Sequence, residues 1–499
     1  MKNNLRSFLT DAENAGKLYR IRKQVDPLTN IGALSDESDR ALLFDNIKGY
    51  DGWRITANLC QNRDMEMVAL GVDSRDEVIK KLAACIDLGT HSHQIISESP
   101  AQEIVWEGDD ANLKRLPVVQ HSELDGGPYI GCGIGIVVDP DSGHHNTTWP
   151  RLQIADGKTC PWLIYSPHVG RITAKYAKAG KPMGMAITIG HHPLIDITAS
   201  FSIHHPNCGE LDFAGNLLGE PMEFVKCGSI DVDVPASAEI IIEGEVPPGQ
   251  VQDEGPFGNY LGTYAGGPLA REGVIKSVIF KVKRITMRKE PVYRHLQSTV
   301  WTEHQRLVML PIEANLYTAL LEMGIEVHDI YIPSWGGCGV TIIQMTPHGP
   351  GEAQAAMLKA TQWDNTTLSF MSHLVVAVNR DVNIYDARDV MWAIGVRTHW
   401  GKPITQIYDT PSSPLRPSAE TIKGIPYRLG GKAMVDATIL PPKNDFEWWD
   451  QNRAWPMGKG KVSLADFVDD YQIRQDAMVR MMSHEEMLAI KPGSYKPGK

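Results

Sequence analysis

The chain has 499 residues, too many for one hydrophobic core, so two or three domains are expected. Hydrophobic content of 42% and charged content of 22% are ordinary for a globular protein. A net charge of −11, without a Lys/Arg stripe interleaved with aromatics, argues against nucleic acid as a partner, and no apolar run approaches a membrane span.

Seven cysteines, Cys60, Cys85, Cys132, Cys160, Cys208, Cys227 and Cys338, form no CxxC pair. Odd in number and scattered, they suggest small buried thiols in a reducing compartment, not a disulfide frame or a zinc site. The first residues, MKNNLRSFLTDAENAGK, contain no apolar signal-peptide core, so a cytoplasmic protein is expected.

In chain order, Leu5, Phe8 and Leu9 predict a helix over 3–15, with Gly16 as its stop. LYRIRKQVD, ALLFDNIKG and WRITANL read as strands, with a turn at Gly49–Gly52, and Val78, Ile79, Leu82, Cys85 and Ile86 make one face of a helix near 75–88. Residues 1–115 thus read as an N-terminal α/β domain. From 116 to 302 strand-like runs crowd together: IGCGIGIVV, AITIG, EIIIEGEV, VIKSVIFKVKRITMR and PVYRHL. With Gly/Pro loops between them and few helical windows, they predict an antiparallel barrel. GCGIG at 131–135 is no dinucleotide fingerprint, because the chain runs straight on into VVDPDSG without a helix. Residues 303–330 form a linker, with a helix over 303–324 that Pro311 should interrupt. Over 331–499, a helix near 352–362, a buried strand LVVAV and a helix near 386–396 alternate, predicting a C-terminal α/β domain. The tail, 463–490, is amphipathic and helical in pattern.

Within the barrel, residues 243–267 (EGEVPPGQVQDEGPFGNYLGTYAGG) combine acids with dense Pro and Gly. Such a segment cannot be a regular helix or a central strand, so it is an ordered loop that presents Glu254. Taken alone it is also compatible with a solvated hairpin connection. EGPFG at 254–258 does not stand alone, however. Asn146 and Arg151 stand five apart in NTTWPR, followed in order by SPH at 166–168, TAS at 198–200, GELDFAG at 209–215, the run 378–397 and VDAT at 435–438.

This ordered set resembles the UbiD family of decarboxylases, which use prenylated FMN. The resemblance implies an α+β fold: a central antiparallel split β-barrel that binds the flavin, flanked by an N-terminal α/β domain and a C-terminal α/β oligomerisation domain. It implies that Asn146, His168 and Glu210 hold Mn²⁺, which grips the flavin phosphate, and that K⁺ sits nearby on Ala199, Ser200 and Glu210. Oxygen ligands with one imidazole suit Mn²⁺. Pro167 and Ser200 join Asn146, Arg151, His168 and Glu210 in the implied cofactor site. From spacing alone these residues do not make a metal site, and His144–His145 reads as ordinary loop.

Arg151 and Glu254 fit two readings, a structural ion pair between barrel strands or an acid/base pair whose ionisation the arginine controls. The resemblance implies the second, in an Arg–Glu–Glu network beside the flavin. The second Glu of that network would stand at 259, where this chain has Asn259. An amide has no proton to give, so Glu254, water, or one of His295, Glu303 and His304 would return the proton, and Asn259 would face a polar or ring-nitrogen acceptor on the substrate. Trp301, Trp392, Trp400, Trp448 and Trp449 are candidates for an aromatic wall, although aromatics more often fill cores. The expected activity is reversible, non-oxidative decarboxylation of an aromatic or fused heteroaromatic, or α,β-unsaturated, carboxylic acid. A separate flavin prenyltransferase would supply the cofactor, and the assembly would be a homodimer or built from dimers. A subunit of a larger carboxylase acting on an activated phenol or aryl-CoA, and a non-catalytic flavin-binding protein, are the competing expectations.

Overall fold

A computed structural model describes residues 3–86, 93–201, 209–264, 274–362, 371–399, 404–413, 415–421 and 428–440, with 454, 457 and 461. The chain divides into two compact units, Met1–Pro441 and Pro442–Lys499, and the described helices and strands all belong to the first. The fold is α+β with an antiparallel barrel-like sheet at its centre. Among the described residues no helix is long and apolar enough to cross a membrane. The expected tail helix, Trp400, Trp448 and Trp449 lie outside the described residues.

The helix Leu5–Asn14 begins at Asn4, whose side chain accepts from the backbone of Arg6 and Ser7, and it buries Leu5, Phe8 and Leu9. It packs near a small sheet of Leu18–Ile21, Ala41–Phe44, Arg54–Ala57 and Val292–Arg294. The last of these strands corrects an expectation. The sequence places PVYRHL in the barrel, yet Val292–Arg294 pairs in parallel with Arg54–Thr56. In exchange, Ile104–Glu107, from the segment read as N-terminal, pairs with Met287–Arg284 of the barrel. Single-strand hydrophobicity carries no information about which sheet a strand joins.

The central sheet runs in the order Tyr129–Ile130, Leu152–Gln153, Thr159–Trp162, Ile275–Met287, Ile240–Val246, Met183–Ile189, Ile134–Val138, His145–Thr148, with Val251–Glu254 and Ile104–Glu107 also on the long Ile275–Met287 strand. Its ladders are antiparallel. The ladder shifts register between Glu243 and Gly244, where a Cβ at Gly244 would lie 2.3 Å from Lys281 O. His145, read as loop, opens the strand His145–Thr148.

The expectation of few helices in this region also needs correction. Pro167–Lys178, Pro193–Thr198 and Glu210–Leu218 are helices. The start signals are present in the sequence: Ser166 caps and Pro167 and Pro193 occupy first-turn positions, while Glu210 and Asp212 lie in an acidic first turn closed by Gly219. Short helices between strong strands are masked when a window averages over both.

The helix Glu303–Glu322 runs through Pro311 without interruption. It is buried on most sides, and Pro311 itself is core, so tertiary packing overrides the local cost of the missing N–H. Beyond it lies a sheet of Val327–Tyr331, Val340–Met345, Leu374–Val378, Arg428–Ala437 and Thr405–Ser412. The three middle strands are parallel, with the helices Glu352–Thr361 and Ala387–Arg397 in the crossovers. LVVAV is accordingly buried almost throughout, as a covered parallel strand should be.

Candidate active site

Glu254 ends the strand Val251–Glu254, and its side chain is fully buried. Arg151 Nη2 donates to Glu254 Oε2 at 2.7 Å, with Arg151 12% exposed. Tyr129 donates its hydroxyl to the other oxygen, Oε1, at 3.1 Å. Burial, then the Glu254 charge, raises the Tyr129 phenol well above its ordinary value, so it stays a donor. The Arg151 guanidinium lies 5.0 Å from the Phe257 ring and 5.7 Å from that of Tyr165.

The EGPFG loop is held from below by residues 122–129. Asp125 accepts from Gly258 N at 2.7 Å and from Ser122 N at 2.9 Å, and burial raises its carboxyl to about 6. Gly126 N donates to Pro256 O at 2.8 Å, and Gln153 Oε1 accepts from Gly255 N at 3.0 Å. A Cβ at Gly126 would sit 2.4 Å from Gly255 O, so the close approach of the two loops requires glycine there. Sequence reasoning misses Tyr129, Asp125 and Gln153; their positions around NTTWPR carry no signal, since only the folded sheet brings 129 and 153 beside 254.

Tyr129→Phe leaves Glu254 Oε1 without its donor while keeping the ring packed on Phe257 at 4.5 Å. A lost hydrogen bond to a buried charged group is worth roughly 1.5–3 kcal/mol, so turnover should fall about tenfold to a hundredfold and Tm by about a few degrees. Full activity in steady-state assays would show that Glu254 needs no such support.

Asn259 is 3% exposed and engaged within its own turn. Its Nδ2 donates to Thr263 O and to Thr263 Oγ1 at 2.9 Å, and its Oδ1 accepts from Leu261 N at 2.8 Å. The alternative proton donors are likewise occupied. Glu303 accepts from Asn58 N at 2.9 Å, Cys60 N at 3.0 Å and Arg294 Nη2 at 3.3 Å. His295 pairs through Nε2 with Gln297 Oε1 at 2.9 Å, and burial pushes its pKa well below 6.5. His304 contacts Ser298 Oγ at 3.1 Å and burial takes it to about 3. Both imidazoles are therefore neutral near pH 7. Trp301 is 41% exposed, and Trp392 lies under the Arg397 guanidinium at 4.8 Å.

A second group of residues meets on the strand His145–Thr148. Glu210, at the start of its helix, accepts from Thr147 N at 3.3 Å and from Asn146 Nδ2 at 3.4 Å. Burial raises the Glu210 carboxyl. Thr147 Oγ1 donates to Ala199 O at 3.3 Å, and Ser200 Oγ to Asp196 O at 3.1 Å. Pro167 and half-buried His168 form the first turn of a helix that packs on the same strand. Among the described residues no group of three His, Cys, Asp or Glu is placed to hold a metal ion.

Between Glu210 and Glu254 the segment 146–151 leaves three buried polar atoms without partners: Asn146 Oδ1, Trp149 Nε1 and Arg151 Nε. Buried polar atoms are nearly always satisfied, so three on six consecutive residues make this segment the candidate for a polar ligand. The chemistry of the donor set fits a flavin with a metal-bound phosphate: an amide oxygen and a carboxylate suit a metal ion, and a guanidinium and an indole N–H suit polar flavin atoms.

Family models for the 3-octaprenyl-4-hydroxybenzoate carboxy-lyase (UbiD) family match the N-terminal domain over residues 9–86, the Rift-related domain over 94–300 and the C-terminal domain over 305–437. The anhydromevalonate phosphate decarboxylase of Methanosarcina mazei is 30% identical over 445 residues, covering 89% of this chain and 98% of that protein. The phenolic acid decarboxylase of Sedimentibacter hydroxybenzoicus is 30% identical over 459 residues, covering 88% and 92%. The UbiD-class enzyme HmfF from Pelotomaculum thermopropionicum, solved with FMN, superposes with a TM-score of 0.82 at 31% identity, covering 93% of this chain and all of that one, and an evolved dimeric form was solved with prFMN. The chain therefore belongs to the UbiD family, has its three-domain α+β architecture, and is a carboxy-lyase.

Proposed function

We propose that this protein is a prenylated-FMN-dependent decarboxylase that reversibly and non-oxidatively removes CO₂ from an aromatic or fused heteroaromatic acid, or from an α,β-unsaturated one. The observation that carries the reading is the row of unsatisfied atoms on Asn146, Trp149 and Arg151, lying between the Glu210 and Glu254 carboxylates. The prenylated FMN of one solved relative and the aromatic acids named for others support it.

Asn146, His168 and Glu210 would hold Mn²⁺ on the flavin phosphate, with K⁺ on Ala199, Ser200 and Glu210; Pro167 starts the helix that presents His168. Bound prenylated FMN would supply the electron sink for the carbon that loses CO₂. The protein's own residues do the rest. Arg151 presents a guanidinium that can orient the substrate carboxylate before CO₂ leaves. Glu254, held on both oxygens by Arg151 and Tyr129, would take up a proton from water admitted to the site and pass it to the carbon that has lost CO₂. Asn259 keeps the loop's turn, since both its amide atoms are used there. A separate flavin prenyltransferase would provide the cofactor, and the protein would work in the cytoplasm as a homodimer or dimer-based assembly.

The test is CO₂ release from a panel of aromatic and heteroaromatic acids, using protein co-produced with a flavin prenyltransferase. Glu210→Ala is expected to cut flavin and Mn²⁺ content at least tenfold while the protein stays folded, since one ligand of a metal site typically carries that much affinity. Undiminished flavin and metal in that variant would place the cofactor elsewhere.

A further inference from the structure

Two arginines beside the signature loop have no use in the chemistry above. Arg428 opens the strand Arg428–Ala437 and is 5% exposed. Its Nη1 donates to Arg416 O at 2.9 Å, but its buried Nε and Nη2 have no hydrogen-bond partner. Arg416 donates through Nη2 to Met371 O at 3.0 Å, and its buried Nε is also unpartnered. Among the described residues no carboxylate forms an ion pair with either guanidinium. Burial lowers the Arg416 pKa, and only the Cys338 thiol and the Tyr260 phenol, not a carboxylate, act against it. The backbone makes room for this cation: a Cβ at Gly339 would lie 2.4 Å from Arg416 Nη2. Buried charge is ordinarily paired, so two arginines without a carboxylate, joined by the bond from Arg428 Nη1 to Arg416 O, point to an anion as the missing partner.

Their location says which anion. Thr263, the partner of Asn259, donates Oγ1 to Leu415 O at 3.1 Å, tying the signature loop to the segment that carries Arg416. Tyr165 is 53% exposed and lies against Arg151. Burial raises its phenol, and the charges that act on it are those of Arg151, Glu254 and Arg428. Tyr260, in the signature loop's turn, feels Arg416 in the same way. The bonds from Thr263 to Leu415 O and from Arg428 to Arg416 O therefore set the two arginines beside the turn of the signature loop, and no hydrogen bond or ion pair among the described residues joins them to Arg151 or Glu254.

We propose that Arg428 and Arg416 form a second anion subsite beside the turn of the signature loop, which receives a carboxylate or phosphate at the end of the substrate remote from the carboxylate that is lost. The substrate class is then a doubly anionic acid, an inference that rests on the decarboxylase reading. Arg151 takes the reacting carboxylate, and the arginine pair fixes the far end. A guanidinium in this role recognises planar oxyanions by paired N–H bonds, which a lysine cannot copy fully.

Calorimetric binding to the flavin-loaded protein tests this, with benzoate, benzene-1,3- and 1,4-dicarboxylate and 4-phosphonobenzoate as probes. At least one doubly charged probe should bind about tenfold or more tighter than benzoate, as a charge-assisted pair predicts. Arg428→Gln should erase that advantage and leave benzoate binding within about twofold, while Arg428→Lys keeps part of it. Which doubly charged probe wins distinguishes carboxylate from phosphate. Equal binding of all four probes, or an advantage that survives both Arg428→Gln and Arg416→Gln, would overturn the subsite. If Arg428→Gln does not fold by circular dichroism, Arg428→Lys and Arg416→Gln decide the matter. CO₂ measured on the same samples separates the two claims. Selective binding without CO₂ from any acid contradicts the decarboxylase reading alone, whereas CO₂ released from monoacids and diacids alike contradicts the subsite alone.

Discussion

Glu254→Gln is expected to reduce decarboxylation at least a thousandfold while the flavin stays bound. The substitution keeps the shape of the side chain, and its amide can still hydrogen bond to Arg151 or Tyr129. What it loses is the only carboxylate held within 2.7 Å of Arg151 among the described residues, and with it the group that would take up a proton from solvent and pass it to carbon. General acid–base groups contribute about 10²–10⁴ in rate, and the loss here falls at the upper end because neighbouring groups are committed elsewhere. His295 and His304 are held neutral by burial, Glu303 is tied to Arg294 and two backbone N–H groups, and the Asn259 amide is used in its turn. Single-turnover kinetics, with flavin content measured in parallel, check this. A Gln variant with normal turnover would remove Glu254 from the chemistry.

Arg306→Met is expected to cost about 3–5 kcal/mol of stability, the loss that follows when a buried ion-pair network is broken on one side. Arg306 donates to Glu66 at 2.8 Å and to Glu313 at 2.8 Å, and Arg63 closes the square with 2.9 Å contacts to the same two carboxylates. All four side chains are at most 2% exposed. Ile330 O and Ile332 O accept from the guanidiniums, and Ile332 N donates to Glu313 at 2.7 Å. The network therefore fastens the helices Arg63–Leu70 and Glu303–Glu322 to the strand Val327–Tyr331. Burial works to raise the Glu313 carboxyl, but the two guanidiniums win and hold it below its ordinary value. Glu313 accordingly stabilises the fold above pH about 4.5, and that contribution is lost as pH falls through its lower folded value. Met in place of Arg306 leaves two buried carboxylates sharing one cation. Adding Glu313→Gln should recover part of the loss by removing the excess charge. Denaturant titration checks both, and a single variant as stable as wild type would contradict this role for the network.

Much of the site is legible because its residues sit in ordered motifs. NTTWPR, SPH, TAS, GELDFAG and EGPFG name the positions, and the structure brings Asn146, Thr147, Ala199 and Glu210 together by hydrogen bonds, and Arg151 to Glu254 by an ion pair. The supporting residues are not legible. Tyr129 reaches Glu254 only because Tyr129–Ile130 and Val251–Glu254 belong to one sheet, and no local pattern encodes a partner 125 positions away. The strands themselves follow from alternation and β-branched runs, whereas their sheet membership does not: Val292–Arg294 leaves the barrel and Ile104–Glu107 enters it. Pro311 misleads for the opposite reason, since a local rule is applied where burial on most sides decides. Asn259 stands where the resemblance puts a second Glu, and its amide bonds within its own turn, to Thr263 and Leu261.

The most direct test of the central claim is the identity of the flavin extracted from protein co-produced with a flavin prenyltransferase, read by absorbance and mass spectrometry. The site proposed on Asn146, Trp149, Arg151 and Glu210 predicts prenylated FMN in near-stoichiometric amount. Ordinary FMN, or a folded protein without flavin despite a supply of the prenylated form, would contradict it and leave the Arg151–Glu254 pair without the chemistry assigned to it here.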